Sequence, residues 1–366
     1  MISAGPLGAA TEGLRVALVA ALPAYAGASL VPLADTGLAH WHVRLVGTGL
    51  LARIPKQSQM QLNSVNNLAY EQACFERASP SGHTPKLHHI LPPSAYLPRG
   101  ALIVDEIMGR PARLPDDLGA IMRALVAIHN CELPDEAGRA PLRAAADPLA
   151  DLLDEIRAQG RHLATAGLSP AVRSAIDQEI EALAERASAA KRPPKTLIAF
   201  DAHPGNFLML PDGRAILVDL EKARYAYPPL DLGHATLYTS TTWDVASSAE
   251  LTTAETARAY SDWATAMGPA ADAWGDWHVP LRRAMWLWSV TWCAKWRALS
   301  ARAATQASDG EDWSAEKSDA TLIDHVRGRV DCYLSPEIVR RMRDEFAALD
   351  GILSRNAKST RNRSST

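Results

Sequence analysis

Cysteines are few in this sequence, and charge of neither sign dominates it. The four cysteines are far apart and form no CxxC pair; they are Cys74, Cys131, Cys293 and Cys332. This spacing offers no zinc site and no disulfide framework, and it favours a reducing, cytoplasmic location. With a formal net charge of only −3 over 366 residues, the composition gives no reason to expect a nucleic-acid or membrane partner.

Long apolar runs and a Walker-type phosphate loop are missing as well. No uninterrupted apolar stretch reaches about 18 residues, the length that a membrane-spanning helix needs. No GxxxxGK[ST] segment occurs, which excludes P-loop nucleotide binding. The apolar stretch over residues 16–28 resembles a signal-peptide core, but Glu12 precedes it and Pro23 interrupts it. We interpret it as a short amphipathic helix at the start of a domain.

The remaining pattern divides the chain into two parts. Five short runs of strand-forming residues precede residue 108, and one helical stretch, residues 64–78, lies between the third and fourth runs. After Gly109, apolar residues recur with a helical period. The sequence therefore predicts an α+β chain with a small antiparallel β-sheet N-lobe over 1–108. A large, mainly helical C-lobe over 109–353 and a disordered tail over 354–366 would follow.

The segment AFDAHPGNFLMLPDGRAILVDLEKA, residues 199–223, is the most informative. Two apolar runs flank the turn residues Pro-Asp-Gly-Arg and predict a β-hairpin. If Leu210 pairs with Ala215, then Asn206 lies opposite Asp219. A tighter turn with a bulge at its glycine would shift this pairing by a residue or two, and the two side chains would remain near neighbours.

Oxygen-donor side chains therefore gather at the open end of this hairpin. Asp201 lies on the loop that enters it, close to Asn206 and Asp219. Mg²⁺ binds to one or two such ligands together with phosphate oxygens. Spacing alone leaves two interpretations open: a site for phosphate-bound metal, or a polar hairpin mouth that faces water.

The same residues resemble a known family. The segments FDAHPGNFLM, ILVDLEKA and PPLDLGH are similar to those of the aminoglycoside phosphotransferase and choline kinase family, relatives of the protein kinases. The catalytic segment of that family reads His-Gly-Asp-x-x-x-x-Asn, with Asp-x-Glu after a hairpin. Asp201 and Asn206 match the first motif, and Asp219 and Glu221 match the second. Asp231 matches the Asp of a downstream Asp-Leu motif, which braces the catalytic loop.

The resemblance implies a two-lobed protein-kinase-like fold and a function. That function is ATP-dependent transfer of the γ-phosphate to a hydroxyl of a small molecule, such as an aminoglycoside or amino alcohol. Asp201 would be the catalytic base, and Asn206 and Asp219 would be the Mg²⁺ ligands. The implied cofactors are ATP and Mg²⁺, and the implied partner is a small hydroxylated acceptor.

In the β-rich part, the resemblance implies an ion pair that holds the phosphates of the nucleotide. Arg53 on the third strand takes the place of the cation that binds these phosphates, with Lys56 as the alternative. Glu71, on the helix inserted after that strand, takes the place of the acid that pairs with this cation.

Two main-chain elements complete the implied nucleotide site. The main chain near Asp105 and Ile107 resembles the hinge that meets adenine. The turn LADTGLAHWHV takes the place of the loop that covers the phosphates. Gly37 is the only glycine of this turn.

The chain departs from the family pattern at the start of the catalytic loop. Ala199 stands where the family has its His, and Phe200 stands where it has Gly. That His props the loop, so the departure concerns the loop's geometry, while the ion-binding acids remain in place. A nucleotide-binding pseudokinase without turnover is therefore the alternative function.

The acceptor is predicted to be cationic, and to bind between the catalytic loop and the helices after residue 240. The acidic residues that would favour an amine are Asp201, Glu221, Asp231 and Asp244. Trp243 and a tryptophan stripe with a four-residue step that begins at Trp288 could add cation–π attraction, although such a stripe is also typical of a helical core. Lys222 and Arg224 oppose the acidic field.

Overall fold

The computed structural model describes residues 5–189, 191–300 and 317–363. The chain folds into two compact units. The first, which we call the sheet unit, comprises Met1–Ser79, Thr84–Ile107 and Leu299–Arg327. The second, which we call the helical unit, comprises Pro80–His83, Met108–Ala298 and Gly328–Thr366. The division of tasks between a nucleotide-binding and an acceptor-binding part stays a prediction.

The sheet unit is built on five antiparallel strands. They are β1 (Leu30–Pro32), β2 (His40–Leu45), β3 (Leu50–Pro55), β4 (Leu87–Leu91) and β5 (Ala101–Asp105), in the spatial order β1-β2-β3-β5-β4. Helix α2 (Ser64–Ala78) connects β3 to β4. These elements lie where the sequence predicted them, and the predicted fold class is confirmed.

Helix α1 (Pro6–Ala21) covers part of this sheet. Leu14 and Leu18 are buried in one apolar cluster with strand residues such as Val43 and Ile103. The helix comes close to the neighbouring main chain at Gly13, where an added Cβ would lie 2.0 Å from the Tyr96 carbonyl oxygen. Residues 16–21 thus belong to a packed helix, as the sequence predicted, and the remainder of the stretch over 16–28 lies beyond the end of that helix.

The helical unit contains two small sheets. Strands β6 (Arg110–Pro111), β8 (Phe207–Met209) and β9 (Ala215–Leu217) form one sheet, in the order β6-β8-β9. Strands β7 (Thr196–Ile198) and β10 (Arg224–Ala226) pair antiparallel in the other. The loop between β7 and β8, and the segment between β9 and β10, therefore carry every residue of the predicted hairpin mouth.

The remaining α-helices of the described residues follow in chain order. They are α3 (Leu118–His129), α4 (Pro148–Gly160), α5 (Pro170–Ser188), α6 (Pro229–Thr236), α7 (Tyr238–Thr241), α8 (Thr253–Met267), α9 (His278–Leu299), α10 (Ala320–Tyr333) and α11 (Pro336–Arg363). Helix α11 includes most of the segment for which the sequence predicted a disordered tail, and residues 364–366 lie outside the described residues. None of the described helices is both long and apolar enough to cross a lipid bilayer.

Side-chain caps set the starts of several of these helices. Asp147 accepts hydrogen bonds from the first main-chain amides of α4, and Ser169 does the same for α5. At α8, Thr252 and Glu255 form a capping box. Such caps satisfy amides that have no partner within the helix, and each one typically stabilises it by ~1 kcal/mol.

The core of the helical unit contains most of the tryptophan stripe. Trp286, Trp288 and Trp296 of α9 are buried, and Trp292 is half-buried. One apolar face of α3 is buried as well, in line with the helical period of apolar residues after Gly109: Leu118, Ile121, Met122, Leu125 and Ile128. The core interpretation of the tryptophan stripe is therefore the one that these side chains favour.

The hairpin of β8 and β9 forms one residue out of the predicted register. Met209, not Leu210, is the partner of Ala215. Gly213 adopts φ +82°, which allows a tight turn in which its amide donates to the Leu210 carbonyl at 3.0 Å. The Leu210 amide in turn donates to the Arg214 carbonyl at 2.8 Å. The Leu210–Ala215 pairing was wrong, and the shift is the one expected for a tighter turn at its glycine.

Candidate active site

Strand β7 leads into the loop that carries Asp201, and the loop begins with a strained residue. Phe200 has φ +63°, a left-handed conformation that costs an L-residue with a side chain roughly 1–2 kcal/mol. Its ring is fixed on two sides. The Arg224 guanidinium carbon lies 3.5 Å from the ring centroid, and Trp288 meets the ring edge-on at 5.1 Å. Phe200 therefore adopts the backbone conformation that would favour the family's glycine, because its ring is held by packing.

Asp231 of α6 holds the main chain of this loop. Its Oδ2 accepts the Ala199 amide at 2.8 Å, and its Oδ1 accepts the Phe200 amide at 2.7 Å. Asp231 is fully buried, so both hydrogen bonds are shielded from water and are charge-assisted. This is the bracing role that the resemblance implied for Asp231.

A chain of buried side chains supports Asp231 from behind. The Trp263 indole donates to His129 Nδ1 at 3.0 Å, so the proton of the neutral imidazole lies on Nε2. His129 Nε2 then donates to Asp231 Oδ2 at 3.0 Å. The acidic partner of His129 lies 102 residues further along the chain.

His234, three residues after Asp231, is the second side chain of α6 that holds the loop. Its Nδ1 lies 3.1 Å from the Phe200 carbonyl oxygen and 3.5 Å from Asp201 Oδ1. Burial lowers the pKa of His234 to about 4, although the Asp201 charge opposes this shift. The imidazole is therefore neutral at pH 7, and it donates to the carbonyl. Asp231 and His234 together hold a loop whose own His is replaced by Ala199.

Asp201 forms a close ion pair. Lys222 Nζ lies 2.6 Å from Asp201 Oδ2. Burial alone would raise the pKa of Asp201, but the charge and hydrogen bond of Lys222, together with the neighbouring His234 and His203, outweigh burial and hold that pKa well below its usual range. The Asn206 side-chain amide donates to the Asp201 carbonyl at 2.9 Å. Asp201 is thus an ionised carboxylate that can orient a hydroxyl group.

The open end of the hairpin places the predicted metal ligands beside each other along the main chain. The Val218 amide donates to the Asn206 carbonyl at 2.9 Å, and Asp219 follows Val218 directly. Since Asn206 uses its Nδ2 on Asp201, its Oδ1 is the atom that could ligate a cation. One amide oxygen and one carboxylate suit Mg²⁺ that is also bound to phosphate oxygens. The residues present therefore fit the implied ion.

Three carboxylates influence the pKa of His203, which lies in the same loop as Asp201. Burial lowers the pKa of His203, while the charges of Asp201, Asp244 and Asp219 oppose that shift. These acids therefore lie near one imidazole. Gly205 allows the close approach, because an added Cβ would lie 2.6 Å from the Asp244 Cβ.

The predicted acidic wall for the acceptor is only partly present. Both carboxylate oxygens of Asp231 face the loop amides, so Asp231 adds nothing to such a wall. Asp244 accepts two amides of its own turn, at residues 246 and 247. Trp243 packs edge-on against Trp292 at 5.8 Å. Nothing in these contacts selects a cationic acceptor.

In the sheet unit, His40 lies between Arg53, the predicted phosphate-binding cation, and Glu71, the acid predicted to pair with it. Arg53 Nη2 lies 3.5 Å from His40 Nδ1, and His40 Nε2 lies 2.9 Å from Glu71 Oε2. Asn67 donates to the other oxygen of Glu71 at 2.7 Å. Arg53 also lies opposite His42 in the sheet, with 3.3 Å between Nη1 and Nε2. The structure brings Arg53 and Glu71 into one network, and sequence reasoning missed both histidines.

Lys56, the alternative phosphate-binding cation, forms hydrogen bonds within the sheet unit instead. Its Nζ donates to Asp35 at 2.5 Å, to the Gly37 carbonyl at 2.7 Å and to Ser318 Oγ at 2.9 Å. Burial lowers the pKa of Lys56, and Asp35 opposes the shift. Lys56 therefore fixes the turn that contains Gly37, which leaves Arg53 as the stronger candidate for binding phosphate.

The predicted hinge is partly occupied by sheet hydrogen bonds. The Asp105 amide donates to the Lys86 carbonyl at 3.0 Å, and the Glu106 amide donates to the Gly49 carbonyl at 2.8 Å. These two amides are therefore not available to a nucleotide base. This segment could offer a nucleotide base the carbonyl groups of Asp105 and Glu106 and the main chain of Ile107. Ile107 is the last residue of this part of the sheet unit.

Comparison with known proteins gives a consistent result. The sequence profile described as the phosphotransferase enzyme family matches residues 37–269. A choline/ethanolamine kinase family protein from Mesorhizobium loti has a similar structure, with 19% identity and a TM-score of 0.55 over 93% of this chain and 98% of that chain. No curated protein sequence matches the chain.

Two further solved structures share the fold. Aminoglycoside 2'-phosphotransferase-IIIa, in its GDP complex, is 15% identical with a TM-score of 0.56, over 88% of this chain and 99% of that chain. Choline kinase from Cryptosporidium parvum Iowa II is 13% identical with a TM-score of 0.56, over 94% and 99% of the two chains. At such identities the likeness concerns the fold.

Proposed function

Since the chain belongs to the phosphotransferase enzyme family, we propose that it is a small-molecule kinase that transfers the γ-phosphoryl group of ATP to a hydroxyl. The observation that carries this proposal is Asp201. It is an ionised carboxylate on a loop braced by Asp231, beside a hairpin mouth that offers Asn206 and Asp219.

In the proposed reaction, Asp201 accepts the hydrogen bond of the acceptor hydroxyl and aligns its oxygen with the γ-phosphorus. The acceptor oxygen forms a bond to that phosphorus while the bond to the β,γ-bridging oxygen breaks, and ADP leaves with the electron pair. The hydroxyl proton passes to Asp201 late in the step. Alignment contributes more than proton removal, because the transition state is loose.

Asn206 and Asp219 would hold Mg²⁺, which supplies neutralisation of the phosphate charge when it is bound. Arg53, kept in place by His40 and Glu71, would bind the phosphates that are not transferred. The turn at Gly37 would cover the phosphates, and the main chain from Asp105 to Ile107 would meet the base. GTP is the alternative donor, since one similar structure is a GDP complex.

The proposed acceptor is a small hydroxylated compound such as an amino alcohol or an aminoglycoside. Support for a cationic acceptor comes from the similar structures, which include a choline kinase and an aminoglycoside phosphotransferase. Both compound classes carry positive charge and a free hydroxyl group. The Lys222–Asp201 ion pair opposes this choice, so both charged and neutral acceptors belong in a screen.

A nucleotide-binding pseudokinase is the second candidate. The observation in its favour is the same ion pair, because Lys222 occupies Asp201 Oδ2 at 2.6 Å. The two candidates differ in turnover and agree in nucleotide binding, which makes them separable by experiment.

The test combines a screen with matched variants. ATP and GTP consumption is measured against amino alcohols, aminoglycosides, other amines and sugars, and nucleotide binding is measured by calorimetry. Asp201→Asn should lower kcat by roughly 10²–10⁴-fold with nucleotide affinity nearly unchanged, since alignment is lost and the metal ligands remain. Asp212→Asn, at the exposed tip of the same hairpin, is the control and should retain activity.

Two results would contradict the kinase assignment. Wild-type activity in Asp201→Asn would remove Asp201 from its role. Tight nucleotide binding by the wild type without turnover of any acceptor class would favour the pseudokinase.

A further inference from the structure

Lys222 contacts the one carboxylate that the proposed reaction uses. Its Nζ lies 2.6 Å from Asp201 Oδ2 and 5.3 Å from the centroid of the Trp288 ring. The side chain is 9% exposed, so its position is set by packing. Lys222 also follows Asp219, a proposed metal ligand, by only three residues. The lysine therefore contacts the proposed base and lies three residues beyond a proposed metal ligand along the chain.

This ion pair is not needed to hold the loop. The loop's main chain is already fixed at Ala199 and Phe200 by Asp231, at the Phe200 carbonyl by His234, and at the Asp201 carbonyl by Asn206. Lys222 adds a contact to the Asp201 carboxylate itself. If that contact persisted during catalysis, the Lys222 charge would make the Asp201 carboxylate a weaker acceptor for the hydrogen bond and the proton of the hydroxyl. A lysine that stays on Asp201 would thus weaken the base.

The conflict disappears if Lys222 changes partner when substrates bind. An aligned acceptor oxygen lies ~3 Å from the base and about 3–3.5 Å from the phosphorus. The oxygens of the transferred group are then within a few ångströms of Asp201 Oδ2, a distance that rotation of a lysine side chain can cover. The transition state of phosphoryl transfer spreads negative charge over these oxygens. The loop segment from Asp201 to Asn206 contains no Lys or Arg that could bind them.

The geometry points to Lys222 as a catalytic residue that leaves Asp201 when nucleotide and acceptor are bound and donates hydrogen bonds to the oxygens of the transferred phosphoryl group. The inference rests on the proposed phosphotransferase function. Bond making and breaking are unchanged: the acceptor oxygen binds the γ-phosphorus, ADP leaves with the electron pair, and Asp201 takes the proton. Lys222 keeps its own proton and stabilises the charge on the transferring group.

The first test compares Lys222→Met, Lys222→Arg and Lys195→Met in steady-state kinetics. Lys195 is the matched control, because it donates to two main-chain carbonyls of the helical unit, those of Ala145 and Ala146. Lys222→Met should lower kcat about 10²-fold and change the nucleotide KM by less than about threefold, as expected when a contact made only in the transition state is lost. Lys222→Arg should recover part of kcat, and Lys195→Met should match the wild type.

A second test needs no acceptor and separates catalysis from folding. Calorimetry measures the binding of Mg·ADP alone and of Mg·ADP with aluminium fluoride, which mimics the transferring phosphoryl group. Lys222→Met should weaken binding of the aluminium fluoride complex at least tenfold and leave Mg·ADP affinity within twofold. The same loss should occur in an Asp201→Asn background, where the ion pair is already absent. If GDP is the nucleotide that binds, it replaces ADP.

The outcomes distinguish the inference from the function on which it rests. If Lys222→Met keeps the wild-type kcat, or loses affinity for the aluminium fluoride complex only when Asp201 is intact, Lys222 is a structural partner and the inference is wrong. The proposed function survives either result. If the wild type neither binds nucleotide nor transfers phosphate, the proposed function is wrong and the inference falls with it.

Discussion

The two units hold their charged site residues in different ways. In the helical unit, the loop that carries Asp201 is fixed through its main chain, by Asp231 and by the His129–Trp263 chain behind it. In the sheet unit, Arg53 and Lys56 are fixed through their side chains. A braced main chain aims one carboxylate, whereas side-chain contacts hold two cations, of which Arg53 is the proposed ligand of the phosphates. We therefore expect substitutions of site residues in the helical unit to lower mainly kcat, and substitutions of site residues in the sheet unit to lower mainly nucleotide affinity.

The largest combined effect on stability and turnover is expected for Asp231→Asn. An asparagine offers one acceptor oxygen, so one of the two buried loop amides would lose its partner and face an NH₂ group. We expect a loss of ~2–4 kcal/mol in the free energy of unfolding and a fall in kcat of about 10²-fold or more. Urea denaturation and kinetics measure the two, with the exposed Asp272→Asn as control. An unchanged kcat would mean that main-chain bracing does not aim Asp201.

Substitutions of Phe200 measure how much the left-handed backbone conformation at the start of the loop lowers the free energy of unfolding. Removing the buried ring should destabilise the fold by roughly 3–5 kcal/mol, and glycine should return about 1–2 kcal/mol by relieving the left-handed strain. Phe200→Gly should therefore be more stable than Phe200→Ala, the reverse of the usual order within regular structure. Denaturant titration of both variants measures the difference. If the alanine variant were the more stable one, the loop would not retain φ near +63°.

Arg53→Met tests the sheet unit. Loss of a charged donor to phosphate should weaken Mg·ATP binding about tenfold or more, with a smaller change in kcat, as measured by calorimetry and kinetics. Arg15→Met on α1 is the control, since Arg15 pairs with the exposed Glu12 and not with a proposed nucleotide-binding segment. A fall in kcat with unchanged affinity would contradict the contrast between the two units.

The smallest effect concerns acid stability in the helical unit. His278 packs edge-on against Tyr260 at 5.0 Å and Trp263 at 5.9 Å, and burial lowers its pKa to about 4. Below the ordinary pKa of 6.5, the unfolded chain binds a proton that the folded chain does not, so stability falls as pH falls toward 4. His278→Phe should reduce the loss between pH 7 and pH 5 by about 1–2 kcal/mol. His89→Phe in the sheet unit is the control, and equal acid sensitivity in wild type and His278→Phe would contradict the assignment.

Local sequence patterns were sufficient to predict the secondary-structure elements of the sheet unit and the hairpin of β8 and β9. The five strands and α2 follow from the alternation and helical periodicity of residues close together in the sequence. The predicted register of the hairpin was wrong by one residue, because the turn at Gly213 is tighter than the four-residue turn Pro-Asp-Gly-Arg that the prediction assumed. The roles of Asp201, Asn206 and Asp219 were taken from a resemblance, and they stay predictions that the arrangement of the loop supports.

Contacts between distant parts of the chain were beyond local reasoning. His40 lies between Arg53 and Glu71, and His129 supports an acid 102 residues away. No periodicity or spacing encodes such partners, since they depend on how elements pack. The predicted acidic wall is only partly present for the same reason: the sequence shows how many acids there are, but Asp231 accepts hydrogen bonds from two loop amides.

The closeness of Gly205 to Asp244 also constrains how this family can diverge. A Cβ at position 205 would lie 2.6 Å from the Cβ and 3.0 Å from the Cγ of Asp244. Any lineage that gains a side chain at 205 must therefore first lose the one at 244, or move the loop that carries it. The two positions are epistatic: if the loop does not move, glycine at 244 must precede a side chain at 205, because every other residue at 244 keeps the Cβ.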